Sequence, residues 1–190
     1  MADKVNVITI VGSLRKGSFN AALQRALPSL APAGLSIKPT TASFAGLAVY
    51  NFEDHQATGI PAAVNVFVEQ IRAADGLIIV SPEYNWSIPG GLKNLIDWIS
   101  RLKDQPFEGK AVALQSCATG PLGGARMQYH LRQAMVFLNA HTFNTPEIFV
   151  GMAQTKFDEK TMDFKDEAGI KFITQQLAAF EGYVRKLTGK

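Results

Sequence analysis

Two stretches of this chain are apolar on consecutive residues rather than on alternate ones. They are Gly76-Leu77-Ile78-Ile79-Val80 and the centre of Lys110-Ala111-Val112-Ala113-Leu114-Gln115-Ser116. A strand with one solvated face alternates apolar and polar side chains, so such continuous runs belong to strands covered on both faces. That requires helices above and below a parallel sheet, joined by right-handed crossovers. Helical stripes occur where this arrangement needs them, between the strand-like runs.

The first strand reads Val5 to Val11. Behind it Leu23, Ala26, Leu27 and Leu30 sit at helical spacing, and Pro28 predicts an irregular end to that helix. Leu35 to Lys38 is a short strand, and Pro39 to Gly59 reads as a long surface loop. A second helix starts near Pro61 and carries Val64, Phe67, Val68 and Ile71. A third runs from Pro89 with Leu92, Leu95, Ile96, Ile99 and Leu102 on one face. A fourth spans about Gly124 to Ala140 and is followed by a short strand at His141 to Asn144, cut by Pro146. The last helix presents Ile170, Ile173, Leu177, Phe180, Val184 and Leu187. About five strands without a dinucleotide fingerprint predict a flavodoxin-like three-layer α/β sandwich, with a parallel five-stranded sheet of order 2-1-3-4-5. The whole of 1–190 reads as one domain.

Such sheets bind ligands outside the carboxyl ends of their strands, where the winding reverses. Three loops fall there. The first is Gly12-Ser13-Leu14-Arg15-Lys16-Gly17-Ser18-Phe19-Asn20. A strand feeding a glycine- and hydroxyl-rich turn that opens a helix offers free N–H groups and the positive end of a helix dipole. Ser13, Ser18 and Asn20 add donors, and Arg15 adds a permanent cation shaped for phosphate oxygens. Gly12 and Gly17 have Walker A spacing, but Ser18-Phe19 stands where that motif needs its lysine. A monophosphate site is the favoured reading, with a plain tight turn as the alternative.

The second loop, Ser81-Pro82-Glu83-Tyr84-Asn85-Trp86-Ser87-Ile88-Pro89-Gly90-Gly91, joins stiff prolines to permissive glycines. Tyr84 and Trp86 either seal the sheet end or face a planar heterocycle, whose polar rim the N–H groups of Glu83 to Asn85 would meet. Glu83 has no sequence partner for acid–base work, so a solvated or capping role is expected. The third loop, Ser116 to Arg126, is rich in small residues that let backbone pass close beneath a ligand. Its Cys117 is the only cysteine; without an evident His and Asn/Asp set it reads as packing rather than a nucleophile. No disulfide or thiolate zinc site is possible, and His55, His130 and His141 share no ligand spacing. Thus no catalytic side chain and no metal ligand is expected.

The formal charge is +3, with no basic cluster interleaved with aromatics, so nucleic acid is a poor partner while small anions suit. Met1-Ala2-Asp3-Lys4 leads almost directly into a strand without a signal-peptide pattern, and no apolar run nears the roughly 20 residues of a membrane span. A soluble cytoplasmic protein is expected.

Gly12-Ser13-Leu14-Arg15-x-x-Ser18-x-Asn20, Pro82-Glu83-Tyr84-Asn85 and Gly123-Gly124-x-Arg126, in that order, resemble the NAD(P)H-dependent FMN reductase family. Pro89 to Asn94 and Gln128 to Arg132 are similar to its bacterial chromate/quinone reductase branch. The resemblance covers about Val5 to Val184. It implies FMN, bound tightly and non-covalently, with its phosphate held by Ser13, Arg15, Ser18 and Asn20. Pro82, Glu83, Tyr84 and Asn85 would line the flavin ring, with the loop at Ser116 on its other side. Phe19 and Gly120 complete the candidate cofactor contacts. It further implies NAD(P)H as co-substrate, hydride transfer to flavin N5, and ping-pong delivery to small electron acceptors such as quinones or chromate. The assembly implied is a homodimer pairing into a homotetramer. Trp86 stands where the nearest relatives carry tyrosine, and Cys117-Ala118-Thr119 departs from the family pattern.

The main rival is a flavodoxin-type electron carrier serving a protein partner; such carriers are usually strongly acidic. A phospho-receiver of the same fold needs acids where Gly12-Ser13 and Ser81-Pro82 stand. A serine hydrolase lacks its G-x-S-x-G elbow.

Overall fold

The computed structural model describes residues 3–190, so Met1-Ala2 of the leader reading lies outside the described residues. The elements are β1 (Val5–Val11), α1 (Phe19–Leu30), β2 (Leu35–Pro39), α2 (Phe52–Thr58), α3 (Ala62–Ala73), β3 (Gly76–Val80), α4 (Gly90–Ile99), β4 (Ala111–Cys117), α5 (Ala125–Phe137), β5 (His141–Thr142), β6 (Ile148–Val150) and α6 (Glu167–Thr188). Every strand pairing is parallel, in the order β2-β1-β3-β4-β5, with β6 also on β4.

Alternation along the buried strands divides the core between two helical layers. Val5 and Val7 of β1, Ile78 and Val80 of β3, and Ala111 and Ala113 of β4 pack with α1 and α6. Ile10, Leu77, Ile79, Val112 and Leu114 point the other way, into α3, α4 and α5. All of β3 and β4 is buried, which is why their sequence shows no polar alternation.

The fifth sheet position is made from two short pieces. β5 pairs with Ala111 and Val112, and β6 resumes the same edge at Gln115 to Cys117. The expected strand at His141 to Asn144 therefore ends at Thr142, and Ile148–Val150 is a segment the sequence reading missed. Buried amides serve the backbone between them. Gln176 of α6 donates to Pro146 O (2.8 Å), and Gln128 of α5 donates to Ile148 O (2.8 Å). Arg132 donates to Phe143 O (3.1 Å). Side chains thus replace the ladder bonds the break removes.

Helix α1 runs to Leu30, the last residue of its expected stripe, with Pro28 inside its final turn. Leu23 and Leu27 are fully buried while Pro28 is exposed, so packing holds the last turn against the loss of one N–H. The loop from Pro39 to Gly59 contains α2. That helix has no buried residue and hence no apolar stripe. Its signals were the Asn51 cap, whose Oδ1 accepts the Asp54 N–H at 3.0 Å, and the stop at Gly59.

The carboxyl end of β1 is packed without spare room. The Gly12 N–H donates to Val80 O at 2.9 Å. A β-carbon on Gly12 would lie 2.7 Å from Ser81 Cβ and 2.9 Å from Leu92 Cδ2. Gly12→Ala is expected to cost about 1–3 kcal/mol through overpacking, read by urea unfolding. A loss under about 0.5 kcal/mol, the size of an ordinary surface change, would show that the contact is slack.

Candidate functional site

Parallel register sets the three loops side by side: Val11 lies opposite Val80, and Val80 opposite Gln115. Residues from all three line one open cleft of about 200 Å³. The first loop contributes Ser13, Arg15, Ser18, Phe19 and Asn20; the second Pro82, Glu83 and Tyr84; the third Cys117, Ala118 and Thr119.

The first loop is prepared for an anion. Ser18 caps α1, its Oγ accepting the Ala21 N–H at 3.4 Å, and the first turn carries no acid. The hydroxyl proton of Ser18 and the Phe19 and Asn20 N–H groups have no partner among the described residues, as expected at an open helix start. Ser13 Oγ accepts the Arg15 N–H at 3.3 Å, keeping its own proton to donate. The Arg15 side chain is exposed and forms no ion pair among the described residues. Gly17 takes a left-handed turn (φ 69°) that a β-carbon would strain.

Asn20 does something other than the phosphate contact read from the sequence. Its Nδ2 donates to Cys117 O (3.0 Å) and its Oδ1 accepts the Cys117 N–H (2.9 Å). The side chain is a buried clasp between α1 and the end of β4; only its backbone N–H stays a free donor among the described residues.

In the second loop Tyr84 and Ser87 exchange backbone bonds, Tyr84 N–H to Ser87 O at 3.0 Å and Ser87 N–H to Tyr84 O at 2.9 Å. The turn between them places Asn85 (φ 49°) and Trp86 (φ 66°) in the left-handed region, strained for a residue as bulky as tryptophan. The Tyr84 N–H is therefore unavailable to a heterocycle, contrary to expectation, while the Glu83 and Asn85 N–H groups stay uncommitted among the described residues. Tyr84 is half exposed at the rim of the cleft, and Asn85 lies outside its lining. The Glu83 carboxylate accepts the Met127 N–H (3.1 Å) in the first turn of α5 and meets Arg126 at 3.3 Å. It is the capping acid the sequence favoured, acting on a helix 43 residues away. With that charge paired, Arg15 leaves the cleft electropositive.

The third loop also differs from expectation. Ser116 is fully buried, donating to Gly123 O at 2.6 Å and accepting from Gln128 at 2.8 Å, so it shapes the loop from beneath rather than touching a ligand. Gly120 is exposed and outside the cleft; its carbonyl accepts the Met152 N–H at 3.1 Å. Ala118 and Thr119 take their place as lining residues. The run of small residues signalled a ligand-facing loop without showing which residue turns inward.

Cys117 borders the cleft and also belongs to the buried core beneath α1 and α6. Burial pushes the thiol pKa up, only slightly offset by Lys156, so the side chain stays neutral and is no nucleophile. Native protein should resist thiol reagents until unfolded. Because the folded thiol titrates above its unfolded value, this contribution to stability is present below about pH 9 and declines as pH rises beyond it. Denaturant midpoints of wild type and Cys117→Ala that keep a constant separation from pH 8 to 10 would contradict this. For the clasp, Asn20→Ala leaves two buried backbone groups unpaired and should cost about 2 kcal/mol or more, measured by chemical unfolding. A cost no larger than that of Asn85→Ala would sink the assignment.

Comparison with known proteins places this geometry in a lineage. A Quinone reductase of Escherichia coli (strain K12) is 48% identical over 187 residues, covering 98% of this chain and 99% of its own. An NAD(P)H-dependent FMN reductase of Pseudomonas aeruginosa is 49% identical over 190 residues, covering 100% of both. Among solved structures, the flavoenzyme FerB, an NAD(P)H:(acceptor) oxidoreductase from Paracoccus denitrificans, superposes with a TM-score of 0.83 at 30% identity, covering 96% of this chain and 98% of its own. The family model described as NADPH-dependent FMN reductase matches residues 5–155, which include all three loops, and the chain belongs to that family.

Proposed function

We propose that the cleft holds FMN and that the protein is a reductase carrying electrons from NAD(P)H to quinones. The observation that carries this reading is the set of uncommitted donors at the start of α1. The Arg15 guanidinium, the Ser13 and Ser18 hydroxyls and the Phe19 and Asn20 N–H groups all border one cleft, with no unpaired acid beside them. That set suits a phosphate monoester. Pro82 to Tyr84 and Cys117 to Thr119 supply facing walls for a ring, and the free Glu83 N–H supplies a donor for its edge.

FMN held by Arg15, Ser13 and Ser18 would supply the redox chemistry that links NAD(P)H to an electron acceptor. The protein's own part is binding, orientation and field. Arg15 anchors the anionic tail, and the α1 dipole favours negative charge in the cleft. No proton donor is required of the chain, which agrees with a cleft whose only carboxylate, Glu83, is committed to α5. Chromate is a second acceptor class within this reading. The relatives named as reductases and the net charge of +3 favour a reductase of small acceptors over a carrier for a protein partner. The whole chain acts as one FMN-binding domain. A homodimer or homotetramer is supported by the exposed Tyr129, Val136 and Phe137 on α5. No helix among the described residues is long and apolar enough to cross a membrane, and a cytoplasmic location belongs to the same proposal.

The purified protein should show a flavin spectrum that bleaches anaerobically with NAD(P)H and recovers on adding a quinone, with no second protein present. Failure to take up FMN would overturn the proposal. Arg15→Ala should raise the FMN Kd about 10- to 100-fold by loss of a charge-assisted contact, with Arg15→Lys intermediate. Unchanged flavin occupancy in Arg15→Ala would count against the phosphate assignment.

A further inference from the structure

Trp86 poses a physical problem. It is 66% exposed and sits in left-handed backbone, so neither burial nor conformational preference explains its position. What holds it is α5. The Arg126 guanidinium carbon lies 4.1 Å from the centre of the Trp86 ring. The same guanidinium reaches the Glu83 carboxylate at 3.3 Å, three residues earlier in the same loop. One turn further along α5, His130 Nδ1 lies 2.9 Å from Ser87 Oγ. A single face of α5 therefore holds the Glu83–Ser87 segment at both ends and in the middle. Arg126 does not line the cleft, whereas Glu83 and Tyr84 do.

We propose that Arg126 is a positioning residue for the cofactor. By pairing with Glu83 and stacking on Trp86 it locks the strained Tyr84–Ser87 turn against α5, and so sets where Glu83 and Tyr84 present the second wall of the cleft. The planar guanidinium is suited to doing both at once; a lysine keeps the charge but loses the stack. This inference rests on the FMN reading of the cleft, but the latch itself is a property of the protein without its cofactor.

The test uses the full-length protein with two readouts. One is the FMN Kd, from titration of flavin-stripped protein. The other is acrylamide quenching of tryptophan fluorescence without FMN, which reports Trp86 because Trp98 is only 2% exposed. Arg126→Ala should raise the FMN Kd about tenfold and clearly increase quenching. Arg126→Lys should recover part of the affinity through Glu83 while Trp86 stays as accessible as in the alanine variant. If Arg126→Ala does not fold, Arg126→Lys is read by both measurements and Trp86→Ala by the FMN Kd alone, each expected to weaken FMN binding. An FMN Kd within twofold of wild type would overturn the proposal, whatever Trp86 does. A weakened Kd with unchanged quenching would overturn it too, since charge alone would then be acting. A wild-type protein that binds no FMN would instead defeat the functional reading, while the quenching comparison would still decide whether the latch exists.

Discussion

Parallel pairing of three strands packed under helices on both faces is the constraint from which the site follows. With β1, β3 and β4 in register, Val11, Val80 and Gln115 fall on one level, and the chain leaves the sheet at neighbouring points three times. The register cannot slip by a single residue, because that would exchange the side chains facing α1 and α6 with those facing α3, α4 and α5. Hydrophobic burial on two faces thus places three loops next to one another before any polar group is considered.

Polar side chains then join those loops. Asn20 ties the start of α1 to Cys117, Ser116 ties the third loop to itself and to Gln128, and Glu83 ties the second loop to the start of α5. The Asn20 and Glu83 bonds join elements distant in sequence, and the Asn20 and Ser116 bonds are made where burial raises the cost of leaving a partner unmet. The groups left over are those pointing into the cleft, and they are cationic or donors. The proposed phosphate site rests on what these bonds leave uncommitted: the Arg15 guanidinium and the Ser13 and Ser18 hydroxyls.

The same division separates the residues proposed to bind from those that build. Arg15, Ser13 and Ser18 keep free donors; Asn20, Ser116 and Arg126 spend theirs on the protein. A strand-end loop rich in serine, asparagine and arginine looks like a binding loop in either case, because the residue types that hold phosphate also fasten backbone.

What the sequence determined by itself was the layering, the strand order, the three loops and the charge at the first of them. All of these follow from short-range patterns: continuous apolar runs, helical stripes, and hydroxyl and glycine residues between strand and helix. Only the tertiary structure decided that the last strand is split, that Asn20 and Ser116 face inward to backbone, and that Glu83 caps a distant helix. Those outcomes depend on which buried donor meets which acceptor across the fold, and no local pattern carries that information.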